Sequence, residues 1–257
     1  MRVLALSATP VKGLRVAERE QLELEPDGIR GDRRFYLIDT HGRMVNGKRH
    51  GALNEVTAEL DAEQQQLMLG FPDGSRVTAT VKLGEELDST FFSHPRRART
   101  IEGPFSAALS QHVGEELRLV AAADGSSAID RGQDGSVSLI SRGSLAALAV
   151  AAETSAVDAR RFRMSIEIDA QEPFLEESWV DRELTVGEAH IALHGHVGRC
   201  IVTSRDPESG KVDLPTLDLL RELRKGATST EPLPFGVYGA VVRPGIVRVG
   251  DAVALTG

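Results

Sequence analysis

Short segments in which apolar and polar residues alternate fill the first part of the chain, separated by tight-turn residues. Leu22-Glu23-Leu24 and Arg76-Val77-Thr78-Ala79-Thr80-Val81 have a period of two, which sends successive side chains to opposite faces of a strand. Residues 3–6, 33–38, 43–46, 55–60 and 66–70 read as further strands. Pro26-Asp27-Gly28, Asp39-Thr40-His41-Gly42 and Phe71-Pro72-Asp73-Gly74-Ser75 supply turns, and Asp61-Ala62-Glu63 is expected to join two of the strands. Turns at such short intervals point to a barrel or a sandwich.

The period changes after residue 103. Phe105, Ala108, Leu109 and Val113 share one face of a helix predicted over 104–113, with Pro104 in its first turn. An alanine-rich run predicts a second helix over 144–153, capped by Ser141 or a neighbour. Leu217, Leu220 and Leu223 predict a third over 216–225. Strands at 117–121 and 137–141 flank a polar, Gly/Asp-rich loop, long enough to be functional or mobile. The chain then returns to β: a strand at 236–242, a turn at Arg243-Pro244-Gly245, its hairpin partner at 246–249, and a last segment at 250–255. The expected class is α+β and β-dominated. The polar, proline-stiffened Ser93-His94-Pro95-Arg96-Arg97 marks a division into 1–95, a β-barrel-like domain, and 96–257.

A chain of 257 residues can bury a sizeable core as one large domain or two modest ones. No apolar run approaches the ~20 residues of a membrane span. Met1 to Ser7 lacks the apolar length of a signal peptide, so a cytoplasmic protein that engages no membrane is expected. The net charge of −8 argues against a nucleic-acid binder. Arginines cluster nonetheless, at Arg30, Arg33 and Arg34, at Arg96, Arg97 and Arg99, and at Arg160, Arg161 and Arg163. On an acidic chain such clusters suit a small anionic ligand better than a polymer; solvated faces or ion pairs would explain any one of them as well.

The single cysteine, Cys200, excludes an internal disulfide and any metal site built from cysteines alone. A lone cysteine is ordinarily a small buried hydrophobe. Here Arg199 beside it favours the reactive thiolate, and Gly198 lets backbone approach a ligand closely. It also lies at a strand end ahead of Asp206-Pro207-Glu208-Ser209-Gly210, where sites are commonly built. His190, His194 and His196 would share a face with Cys200 on an unbroken strand and could complete a zinc or non-haem iron hydrolase site. Gly195 and Gly198 are expected to break that register. The chain carries no G-x-S-x-G, no H-E-x-x-H, no phosphate loop and no dinucleotide fingerprint.

Six stretches, 159–168, 173–180, Gly198-Arg199-Cys200, Asp206-Pro207-Glu208-Ser209-Gly210, Phe235-Gly236-Val237-Tyr238 and 244–251, follow one another as in MOSC-domain proteins, which the chain resembles over nearly its whole length. Pro10-Val11-Lys12-Gly13-Leu14 and Gly31-Asp32-Arg33-Arg34-Phe35 resemble the β-barrel domain that precedes MOSC. The pattern is most similar to two-domain members related to the mitochondrial amidoxime-reducing component. The resemblance implies a MOSC domain built on a β-barrel with peripheral helices. It also implies a molybdenum–pterin cofactor with Cys200 as the metal ligand, and Arg199 beside the metal. Lys12 and Arg33 or Arg34 would hold the cofactor phosphate, with Gly13 standing where relatives have serine. Ser141 or a neighbour, Arg163 and Ser165 would bind it too, Ser165 replacing an asparagine contact. Met164 and Val197 depart from a usual proline and a second cysteine. The implied activity is reduction of small N-oxygenated molecules, with electrons from a separate flavin, haem or iron–sulfur reductase. Pyridoxal phosphate binding is only a general association of the family. A persulfide carrier or cofactor-delivery protein using Cys200, and the histidine–cysteine hydrolase, remain as alternatives.

Overall fold

The first strand of the chain pairs with the N-terminal half along one edge and with the second half along the other. In the computed structural model, which describes residues 1–61 and 63–256, Val3–Ala8 lies inside an eight-stranded sheet otherwise built mostly from the second half. The expected turn residue Ala62 lies outside the described residues. The spatial order is Val253–Leu255, Glu183–Val186, Ala189–Gly198, Pro234–Arg243, Val137–Ser141, Ile166–Ile168, Val3–Ala8, Ala17–Arg19. Neighbours are antiparallel except Val137–Ser141 and Ile166–Ile168, which run parallel. A five-stranded sheet and two three-stranded sheets complete a β-dominated fold, and their ladders do not close into a ring among the described residues. The helices among those residues are α1 (Phe105–Val113), α2 (Arg142–Ala151) and α3 (Thr216–Leu223).

Four apolar clusters follow from these pairings among the described residues, the smallest of them around Tyr36, Ile38, Phe91 and Val120. Val3, Leu6, Leu22 and Leu24 pack with Ile166 and Leu184, so the first thirty or so residues help to bury the core of the second half. Leu37, Leu67, Leu69 and Leu119 pack against Phe105 and Leu109 of α1 in a second core. Leu145 and Leu148 of α2, Leu220 of α3, Phe162, Met164 and Phe235 form a third. Each fully buried side chain of this kind contributes about 1.5–3 kcal/mol.

Three local expectations change. Residues 246–249 do not pair with 236–242: Gly245–Arg248 pairs with Gln21–Glu25, because Pro234–Arg243 already has a neighbour on each edge. The strand expected from residue 33 begins at Phe35, since Arg33 has φ 46° and cannot continue a ladder. Ser93-His94-Pro95-Arg96-Arg97 falls in the turn and outgoing strand of a long hairpin, Lys82–Phe91 with His94–Glu102. Arg97 reaches both Glu86 and Asp88 at 2.7 Å across it.

Candidate functional site

Arg160-Arg161-Phe162 forms a single 3-10 turn, Ala159–Phe162, because Asp158 caps it: the Arg160 N–H donates to Asp158 Oδ1 at 2.9 Å. The turn ends at Arg163 with φ 56°, a left-handed conformation unfavourable for a long side chain. Two other arginines hold it there. Arg33 Nη2 donates to the Arg163 carbonyl at 2.9 Å, and Arg199 Nη1 donates to the Phe162 carbonyl at 2.9 Å. Arg199 Nε donates to the Phe235 carbonyl at 2.8 Å, and the guanidinium lies 5.2 Å from the centre of the Phe162 ring. Arg33 pairs with buried Asp32, whose other oxygen accepts from the Thr9 N–H at 2.8 Å. The Lys12 N–H donates to the Phe35 carbonyl at 2.8 Å. The 9–12 and 32–35 segments are thus zipped together, which brings Lys12 and Arg33 into one neighbourhood.

Around this clamp opens a cavity of about 270 Å³, near the small end of ligand pockets. Its lining includes Lys12, Gly13, Arg33, Arg163, Arg199 and Cys200. Cys200 is half-buried, and its sulfur makes no hydrogen bond among the described residues. Burial, with Arg33's like charge adding to it, pushes the Arg163 guanidinium down to about 10. Burial likewise pushes Arg199 down to about 9, with Arg131 adding repulsion. Both stay cationic at neutral pH. Burial also lowers Lys12, against the pull of Asp130, with which its ammonium pairs. The Arg163 guanidinium donates to nothing among the described residues, and its Nη2 is buried without a partner. A buried cation without a partner is costly, and an anionic group in the cavity would satisfy it.

Other residues singled out in the sequence lie elsewhere. Arg34 is half-buried, outside the lining, and has no polar side-chain partner among the described residues. Ser141 caps α2, its Oγ accepting from the Ser144 N–H at 3.1 Å. The helix start is closed further by Gly143 N–H to the Ala170 carbonyl at 2.8 Å and by the buried Glu176 carboxylate, which accepts from Ser144 Oγ at 2.7 Å. An internal carboxylate therefore already meets the positive end of this helix. Ser165 is buried behind the wall, its Oγ 3.2 Å from that of Ser138, which does line the cavity. Asp206-Pro207-Glu208-Ser209-Gly210 is a buttress rather than a wall. Arg15 Nη2 donates to the Glu208 carbonyl at 2.8 Å, tying this loop to the N-terminal half.

The histidines do not form a ligand set. The ladder between Ala189–Gly198 and its neighbour shifts register at Leu193/Gly195 and again at His196/Gly198. His196 is buried against Thr230, its Nε2 3.7 Å from Glu177, which pairs with Arg224. No group of three or more His, Cys, Asp or Glu among the described residues could hold a metal ion, so the histidine–cysteine hydrolase lacks its ligands. Sequence reasoning passed over Phe92, Asp130, Arg131, Ser138 and Tyr238, all in the lining. The polar loop at 122–135 was the one signal for Asp130 and Arg131; Ser138 and Tyr238 read as strand residues, and Phe92, in the turn of a hairpin, carried no signal.

Residues 126–254 match the MOSC domain family and residues 1–115 match the MOSC N-terminal beta barrel domain; the chain belongs to the MOSC-domain proteins. It is 25% identical to mitochondrial amidoxime-reducing component 1 of Xenopus laevis over 283 residues, covering 95% of this chain and 79% of that one. It is 34% identical to the Homo sapiens protein of the same name over 108 residues, 39% of this chain and 31% of that one. Molybdenum cofactor sulfurase of Drosophila willistoni is 23% identical over 92% of this chain, and the match spans 30% of that protein's length. A molybdenum-cofactor-associated role follows from this membership. No described helix is long and apolar enough to cross a membrane.

Proposed function

We propose that the chain holds a molybdenum–pterin cofactor, with Cys200 as its one protein ligand to the metal, and reduces small N-oxygenated molecules. The observation that carries this reading is the gathering of Lys12, Arg33, Arg163 and Arg199 around the only thiol, with one buried Arg163 nitrogen lacking a partner. Guanidinium forks match phosphate oxygens, and a soft thiolate suits a soft redox metal. When bound, the group supplies two-electron oxygen-transfer chemistry that no side chain provides. The chain's own residues would do the remaining work. Lys12 and Arg163 bind the phosphate, while Arg33 and Arg199 hold the strained turn that aims Arg163. Phe162 and Met164 cover the floor and exclude water. Arg199 offsets negative charge beside Cys200. Tyr238 contributes to the lining, its ring stacked under the Arg131 guanidinium at 4.3 Å. Breaking an N–O bond to give amine and water consumes two electrons and two protons. The electrons would come from a separate flavin, haem or iron–sulfur protein.

Metal and pterin analysis of protein from a cofactor-competent host tests the reading. Molybdenum near one per chain with pterin is expected, and Cys200→Ser should lose both the metal and N-reductase activity. Zinc or iron without pterin would sink it. The sulfurase relative favours one second reading, a carrier with a persulfide on Cys200. Metal-free protein bearing sulfane sulfur on that residue would select it.

A further inference from the structure

We propose that Asp130 is the cavity's internal counter-ion and decides which anions enter. An incoming group must carry enough charge, and reach enough donors, to displace the Asp130 carboxylate from Lys12. The inference deepens the reading of the cavity as an anion site and rests on it for the ligand's identity.

The two partners of this ion pair are unequal. Lys12 is the fixed one: its side chain is 12% exposed, its N–H is tied to Phe35, and its ammonium lies 5.4 and 5.3 Å from the ring centres of Phe91 and Phe92. Asp130 is the movable one, at 47% exposure on the long loop. That loop has two firm posts. Ala128 is buried and its N–H donates to the Arg33 carbonyl at 2.7 Å; Ser136 is buried beside Gly28. Between the posts no strand forms, and Gly132 takes φ 56°. The other side-chain tie there is Arg131, 2.6 Å from Glu231 and stacked 4.3 Å from the Tyr238 ring centre. The Asp130 carboxylate can therefore turn to solvent while Lys12 and both posts stay in position.

The charge balance then selects the ligand. A monoanion that reaches only Lys12 exchanges one ion pair for an equal one and gains nothing. A phosphate-ester dianion that meets Lys12 and Arg163 together replaces one pair with two. It also satisfies the buried Arg163 Nη2, which Asp130 leaves without a partner. Asp130 thus keeps Lys12 neutralised against acetate- or chloride-like ions and yields to a phosphate monoester.

Calorimetric titration of the full chain, made in a host without the cofactor, tests this at fixed ionic strength. The probes are inorganic phosphate and acetate at about pH 8, where phosphate is mainly the dianion. Asp130→Asn should bind phosphate about tenfold tighter, the low end for a charge-assisted contact with a half-exposed partner. It should also gain acetate binding that the parent lacks, and Asp130→Glu should behave as the parent. Adding Lys12→Gln to Asp130→Asn should abolish the gain. Unchanged phosphate affinity in Asp130→Asn, or a gain that survives loss of Lys12, would overturn the proposal. The titration reads the ion pair without molybdenum, so failure of the metal analysis would remove the proposed function and leave this result standing.

Discussion

Arg163 combines two unfavourable features in one residue: a left-handed backbone and a buried guanidinium nitrogen with no partner. Removing the charge should therefore stabilise the empty protein. Arg163→Gln is expected to gain about 1–2 kcal/mol in chemical denaturation while losing molybdenum content. A loss of stability would mean that the guanidinium supports the fold. The same residue marks the limit of what could be read from the sequence. The arginine clusters are visible there, but their division of labour is not. Whether an arginine faces a ligand or clamps backbone depends on the carbonyls of Phe162, Arg163 and Phe235, which come together only on folding. Arg33 and Arg34 are likewise adjacent in sequence, yet only Arg33 sits in the turn that reaches the cavity.

At the level of elements, the helices were legible because their signals are local: α2 carries its own cap in Ser141 and its apolar face within ten residues. The partner of Gly245–Arg248 was not, because it lies more than two hundred residues away. The Lys82–Glu102 hairpin was hidden for a different reason, being held by cross-strand charges rather than by alternation. Between elements, Glu177 on the Leu175–Trp179 turn pairs with Arg224 at the end of α3. Burial, opposed by Arg224, pushes the Glu177 carboxyl up from 4.5 to about 7. The native protein therefore keeps a proton that the unfolded chain has released, and this group's stabilisation falls as pH rises through that window. Glu177→Gln abolishes the difference. Its stability relative to the parent should rise by on the order of 2 kcal/mol between about pH 5 and about pH 8. Denaturation at the two pH values checks this, and a constant offset would contradict it.

For the whole molecule, the sharing of strands between halves matters more than where a boundary is drawn. Val3–Ala8 covers one edge of Ile166–Ile168, and Leu22 and Leu24 help to fill the second half's core. A fragment of residues 96–257 is expected to lack a cooperative unfolding transition by circular dichroism, and co-expression with residues 1–95 should restore it. A stably folded isolated fragment would refute the interdependence.

The same strand order has a consequence for synthesis. Val3–Ala8 can pair with Ala17–Arg19 as soon as both emerge, but its other edge must wait for Ile166–Ile168. At 5–20 residues per second that wait is roughly 7–30 s on the ribosome. For that time a short apolar strand presents unpaired amides and carbonyls to other nascent chains.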